Sequence, residues 1–427
     1  MTNQLAERTA HARPDAGRGP AVFTGIGVAA PNGLGAEAWW RATLAGESGI
    51  RPVTRFDATG YPARLAGEVP GFDAAEHIPS RLLPQTDHMT RLALTAAKEA
   101  LEDSGADPAE LPEYSAGVVT AASAGGFEFG QRELQALCAK GGQHVSAYQS
   151  YAWFYAVNTG QISIRHKLRG PSGVLVTEQA GGLDAVAQAR RQLRKGSRLI
   201  VTGGVDGAIC PWGWTAQLAG GRMSTVEDPA RAFLPFDTRA AGYVAGEGGA
   251  ILVLEDAGAA RERGARVYGQ LAGYAATFDP APGRGGEPGL RRCAQLALDE
   301  AGMAPSDVDV VFADASGVPE LDRQEAAALT ALFGPRGVPV TAPKTMTGRL
   351  SAGGASLDLA AALLSLRDQV LPPTVGVGRP VEGDRLDLVT EARRGPVRTA
   401  LVLARGTGGF NAAAVVTAED RSSNAAG

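Results

Sequence analysis

From Ala21 onward the chain repeats one pattern: a short run rich in β-branched and small apolar residues, a glycine-bearing turn, then a stretch with apolar residues at helical spacing. AVFTGIGVAA (21–30) is strand-like, and HMTRLALTAAKEALEDSGADP (88–108) suits a helix that stops at Gly105 and Pro108. YSAGVVTAAS, beginning at Tyr114, is strand-like again. VLVT (174–177) predicts a buried strand and EQAGG (178–182) a turn. LDAVAQARRQLRKG (183–196) then predicts a helix whose basic residues fall in its last turns, where they complement the helix dipole. RLIVTGGVDGA (198–208) returns as a strand. Further on, GAILVLEDA (249–257), DVDVVFADAS (307–316), VPVTAPKT (338–345) and RTALVLARGTGGFNAAAVV (398–416) alternate with the helix-like RQEAAALTALFG (323–334) and ASLDLAAALLSLRDQ (355–369). The alternation predicts an α/β fold whose sheets are covered by helices on both faces.

A chain of 427 residues, 44% of them hydrophobic, can bury a large core, and two related α/β halves are the natural division. The Pro/Gly-rich stretch DPAPGRGGEPG (279–289) reads either as their boundary or as a long surface loop inside one half. Charge narrows the possible partners. Lys plus Arg number 41 against 45 Asp plus Glu, a net charge of -4, which sets up no field to draw in nucleic acid or an anionic membrane. No apolar run approaches the roughly 18–20 residues of a membrane span. The first twenty residues carry Arg8, Arg13 and Arg18 without an apolar core, so no secretory signal is expected there. Cys138, Cys210 and Cys293 are far apart, with no C-x-x-C pair, so neither a disulfide framework nor a zinc site is expected, and a reducing cytoplasm fits best. Glycine-rich stretches occur, but none has the spacing of a phosphate-cradling loop, and no nucleotide cofactor, metal or other cofactor is expected.

The chemistry concentrates at TEQAGGLDA (177–185). A strand that turns sharply into a helix through small residues puts the turn residue at the helix N-terminus, where unpaired backbone N–H groups face a ligand oxygen. Nucleophilic enzymes place Ser or Cys there, because the dipole favours the thiolate or alkoxide. Here the residue is Gln179, which is no nucleophile. By itself it also reads as an ordinary cap or turn-former.

Four blocks change its meaning: the elbow, PFDTRAAGYVAGEGGAILVLED (235–256), PKTMTGR (343–349) and RGTGGFNAAAVV (405–416). In this order and spacing the chain resembles the β-ketoacyl synthases of the thiolase fold from about Ala21 to Val416. The resemblance implies a five-layered αβαβα arrangement with halves at 21–272 and 273–417, while residues 1–20 and 418–427 read by themselves as disordered tails. An active member uses one Cys and two His. Where the family has its Cys this chain reads Gln179, and by register its two His positions read Asp314, in ADASG, and Arg349. Register alone could slip, but the only histidines are His11, His77, His88, His144 and His166, so none exists between Lys167 and Gly427 to fill either place. Opposite charges at 314 and 349 are expected to pair and fill the vestigial pocket. Lys344 matches the family lysine, with a structural role expected, while Cys210 and Cys293 fit ordinary buried thiols.

Gln for Cys with both His missing, together with SYAWFYAVNTGQISI (150–164), resembles the chain length factors of type II aromatic polyketide synthases. That resemblance implies a non-catalytic subunit paired with a catalytic ketosynthase alpha subunit, served by an acyl carrier protein. A poly-β-keto chain would grow in a tunnel at the heterodimer interface. In GGFEFGQRELQALCAKG (125–141), Phe127, Gly130 and Leu134 share a helix face and resemble the family's gatekeepers. Without the family context the same stripe reads as core. Glycine at 130 and leucine at 134 leave more space than bulkier side chains, which implies a long product, about a decaketide or more. Phe410 matches the gating-loop aromatic. Two other readings stand beside this one: a malonyl-carrier-protein decarboxylase using Gln179 to make the acetyl primer, and a pure scaffold for the partner.

Overall fold

In the computed structural model, residues 19–281, 285–381 and 385–419 are described, so the tails expected at 1–20 and 418–427 lie almost wholly outside the described residues. The first half is built from β1 (Ala21–Ala30), α1 (His88–Ser104), β2 (Ala116–Ala121), α2 (Phe127–Lys140), α3 (Val157–His166), β3 (Ser172–Leu175), α4 (Gly181–Arg194), β4 (Leu199–Asp206), α5 (Pro211–Ala219) and β5 (Gly248–Asp256). The second comprises β6 (Gly269–Phe278), α6 (Leu290–Ala301), β7 (Val310–Phe312), α7 (Pro319–Phe333), β8 (Pro339–Thr341), α8 (Ala352–Asp368), β9 (Thr399–Gly406) and β10 (Phe410–Thr417).

Strands run in the order β8-β7-β9-β10-β6 in the second half and β1-β5-β4-β2-β3 in the first. The halves join where β1 pairs antiparallel with β6 through only two residue pairs, Val22 with Gln270 and Phe23 with Gly269. Layering follows from strand alternation. In β9, Ala400, Val402 and Ala404 face the central layer, whereas Leu401 and Leu403 face α6 and α7. The inward residues of both sheet halves enclose α4 and α8 in one core cluster, while α1 and α3 cover the far face of the first half. Helix, sheet, helix pair, sheet and helix make the five layers. Lying in the middle, α8 is buried from Ala352 through Leu366, as a helix apolar on every side must be. Close approach also demands glycine: a Cβ on Gly27 of β1 would come within 1.9 Å of the Ala96 carbonyl oxygen of α1.

Most expected elements are present, with three differences. The segment VLVT is not a buried strand: β3 is the sheet's edge, paired only with β2, and its Val174 and Leu175 are half-buried while Val176 is 47% exposed. Four elements were not expected at all, α3, α5, β6 and α6. Small residues in GQLAGYAATF (269–278) mute its strand signal, and α6 opens with no side-chain cap to announce it. The Pro/Gly-rich stretch connects β6 to α6 inside the second half, and a division after residue 272 falls within β6 itself.

Candidate functional site

The elbow forms as a single 3-10 turn, Glu178–Ala180, between β3 and α4. Glu178 holds a left-handed backbone, φ 52°, a strained conformation for a non-glycine residue. Gln179 is fully buried, and neither its amide nitrogen nor its amide oxygen has a hydrogen-bond partner among the described residues. The amide lies flat against Gly354 of α8, where an added Cβ would sit 2.1 Å from Gln179 Nε2. The position is thus filled by a packed, unreactive side chain.

Across from it, β7 and the loop before α8 bring Asp314 and Arg349 together. Two contacts of 3.3 Å, Arg349 Nη1 to Asp314 Oδ2 and Nη2 to Oδ1, make a forked ion pair, with the Asp314 carboxylate fully buried. Sequence reasoning missed the rest of this cluster. Arg405, at the end of β9, approaches Asp314 Oδ2 with Nε at 3.4 Å and donates its backbone N–H to Oδ1 at 2.9 Å. Glu325 of α7 accepts the backbone N–H groups of Asp314 and Ala315 at 2.8 and 2.9 Å and also meets Arg405. Burial drives both carboxyls up, but the guanidiniums of Arg349 and Arg405 overcome it at Asp314 and hold that group below the ordinary carboxylate range. At Glu325 burial prevails, and its pKa is raised. Lys344 is buried too, its ammonium donating to the Ala313 carbonyl at 2.5 Å and pairing with Asp358 of α8 at 2.6 Å.

Above this charged floor lies a cleft of about 510 Å³. Asp314, Arg349 and Arg405 line it, with Glu178, Arg222 and the Gly406–Gly409 loop at its walls, but Gln179 does not. The loop is tied down by the Thr407 N–H, which donates to Glu178 Oε2 at 3.0 Å. At its end Phe410 stands edge-on to Phe278, ring centroids 4.9 Å apart.

Phe127, Gly130 and Leu134 all lie on α2, some distance along the chain from that floor. The Phe127 ring faces Trp212 of α5, centroids 4.8 Å apart. A Cβ on Gly130 would come within 3.2 Å of the Trp212 ring and 3.5 Å of Trp153 Cβ, so these two residues are the glycine's nearest neighbours off its own helix. Leu134 is 50% exposed and belongs to no core, as does its neighbour Leu137 at 46%. Trp153, Phe154, Tyr155 and Trp212 are exposed as well, giving the surface around α2 an apolar, aromatic character. Cys210 and Cys293 are buried, and burial pushes the Cys293 thiol up to about 12, while Cys138 of α2 is exposed. Among the described residues there is no cluster suited to a metal ion and no helix long and apolar enough to cross a membrane.

Five layers, a strand-to-helix elbow at the central helix pair, and loops from both halves converging on one cleft define the thiolase-like fold class. Known proteins agree with that class. The family model described as Beta-ketoacyl synthase, N-terminal domain, matches residues 19–260, and its C-terminal counterpart matches 268–378. The chain belongs to the beta-ketoacyl synthase family. Over 400 residues it is 62% identical to the tetracenomycin polyketide synthase ketoacyl synthase beta subunit of Streptomyces glaucescens, covering 93% of this chain and 98% of that one. It superposes with a TM-score of 0.84 on the ishigamide ketosynthase/chain length factor, at 28% identity over 95% of this chain and 100% of that one. The score is also 0.84, at 26% identity over 94% and 100%, for a chain of the AntDE:AntF complex, a type II acyl-carrier protein with its ketosynthase bound to the hexaketide. Within the family, then, this chain groups with the ketosynthase beta subunits, the chain length factors, of type II polyketide synthases.

Proposed function

We propose that the chain is the non-catalytic, chain-length-determining subunit of a minimal type II polyketide synthase. It pairs with an active ketosynthase alpha subunit, and α2 contributes to the wall of the tunnel in which a poly-β-keto chain grows from malonyl units on an acyl carrier protein. Phe127, Gly130 and Leu134 set the depth, with a product of about a decaketide or longer, and Phe410 belongs to the gating loop. The observation that carries this reading is the floor of the cleft, where both family histidine positions hold a buried ion pair and the elbow holds a packed amide. Decarboxylation at this site would need donors aimed at a developing enolate. Gln179 does not line the cleft, and Asp314 is an anion, which weighs against the primer-making alternative.

The test is product analysis by mass spectrometry in a synthase reconstituted with the partner and the carrier protein. Gly130→Val and Leu134→Phe are expected to shorten the product. Unchanged length with synthesis intact would leave only the scaffold role, and carbon dioxide release from malonyl-carrier protein by this chain alone would restore the decarboxylase.

A further inference from the structure

Helix α2 begins at Phe127 after Gly126, which carries no side chain to cap it. Its cap comes from another helix. Asp87, 4% exposed, is the N-cap of α1 and accepts the Met89 N–H through Oδ1 at 2.9 Å. Its second oxygen, Oδ2, accepts the Phe129 N–H of α2 at 2.7 Å. A single carboxylate therefore caps two helices, each of its oxygens accepting one N–H from a first turn, at the end where the helix dipole favours negative charge. Contact is close on this side: a Cβ on Gly126 would meet Asp87 Cβ at 3.1 Å.

A second link runs parallel to the first. Arg55 reaches Glu128 of α2 at 3.5 Å with Nη1, while Nη2 contacts His88, the first residue of α1, and buried Glu247. Beyond these first turns α2 loosens. Gln131 accepts the Trp212 N–H and Glu133 the Ser146 N–H, each at 2.7 Å, after which Leu134, Gln135 and Leu137 to Lys140 are exposed. The helix is thus anchored at its N-terminal end and projects from there. At a rise of about 1.5 Å per residue Leu134 lies roughly 7.5 Å beyond Phe129, so a tilt of about 10° at the anchor displaces it by roughly 1 Å.

We propose that Asp87 is a positioning residue for product length, fixing through its double cap where Phe127, Gly130 and Leu134 stand. This rests on the chain-length reading of α2 given above. Asp87→Asn keeps the volume but has one acceptor oxygen in place of two, so with that oxygen on the Met89 N–H an amide N–H faces the Phe129 N–H and the cap of α2 is lost. In the reconstituted heterodimeric synthase, Asp87→Asn is expected to broaden the product distribution and cut the share of the parent product about two-fold or more, in line with the sensitivity of reacting groups to displacements of about 1 Å. Asp73→Asn, which alters the exposed cap of the short helix Ala74–His77, is the control and should leave the distribution as it was. A purely structural Asp87 would lower the melting midpoint and yield without changing the distribution, and that result in an assembled complex overturns the proposal. So does an equal shift in the Asp73 control. Should Asp87→Asn fail to assemble, Glu128→Gln, whose side chain is half exposed, decides: a smaller shift of the same kind supports the proposal and an unchanged product overturns it. If bulkier residues at 130 and 134 shorten the product but Asp87→Asn does not change it, only this inference falls. If none of them changes it, the chain-length reading falls first.

Discussion

Asp314 is fully buried between two guanidinium groups that come from different parts of the chain. Breaking such an arrangement costs more than the pair contributes, because the surviving charge is stranded in a medium of low dielectric. Arg349→Leu is therefore expected to destabilise the fold by about 3–5 kcal/mol in urea unfolding, less whatever Arg405 recovers. Replacing Asp314 and Arg349 together by Leu should recover much of that loss. The pair itself was legible in the sequence, because the two positions follow from the register of flanking motifs and opposite charges in one pocket must meet. Arg405 and Glu325 were not. They stand 91 and 11 residues from Asp314, and only the pairing of β7 with β9 and the packing of α7 on that sheet bring them to it. That Gln179 occupies the elbow could be read from the motif, whereas its lack of a partner depends on the flat approach of α8.

Elements are knitted together in the first half by Asp206, the last residue of β4. Its buried carboxyl accepts N–H groups from Ser123 and Ala124 after β2, from Gly207, and from Ala352 at the start of α8, at 2.7 to 3.4 Å. Burial nevertheless dominates those bonds and pushes its pKa up to about 6. The folded chain then keeps a proton up to about pH 6 that the unfolded chain releases near 3.8. The stability this proton lends is fully present below the unfolded value and is lost as pH rises through the folded one. Between about pH 4 and 6, stability should fall with rising pH by up to about 1.4 kcal/mol per unit on this group's account. In Asp206→Asn that slope should be missing, which unfolding curves taken at several pH values across the window will show as a flatter profile than the parent's. At this scale the sequence pattern served well for long periodic segments such as α1 and α8. It failed at β3, where apolar residues that look like core lie on a sheet edge, since periodicity does not say which strand comes last.

Over the whole molecule, the open edge of β3, the 75% exposed Ile164 of α3, Val176 and the aromatic residues near α2 leave much apolar surface and an unpaired strand. Such features invite association, and in a lone chain they favour aggregation. With the alpha subunit as the proposed partner, the melting midpoint of this chain should rise with partner concentration, as mass action requires of anything that binds only the folded form. A midpoint indifferent to the partner would argue against the heterodimer. The five-layered plan was visible from four motif blocks in order, whereas this surface was not, because exposure is a property of the folded chain. AWFYAVN could be assigned neither to core nor to interface from its letters, and the structure leaves Trp153, Phe154 and Tyr155 each more than a third exposed.

The ion pair on the floor of the cleft has a historical consequence. If an ancestor carried imidazoles at 314 and 349, a lineage that now holds Asp and Arg cannot step back one residue at a time. Either single reversion breaks the pair at about 3–5 kcal/mol, less whatever Arg405 recovers at Asp314, a large share of the roughly 5–15 kcal/mol that holds a domain together. Both positions must change at once, and Gln179 as well, before any gain in chemistry could be selected. The pair thus acts as a ratchet against the return of imidazoles to either position.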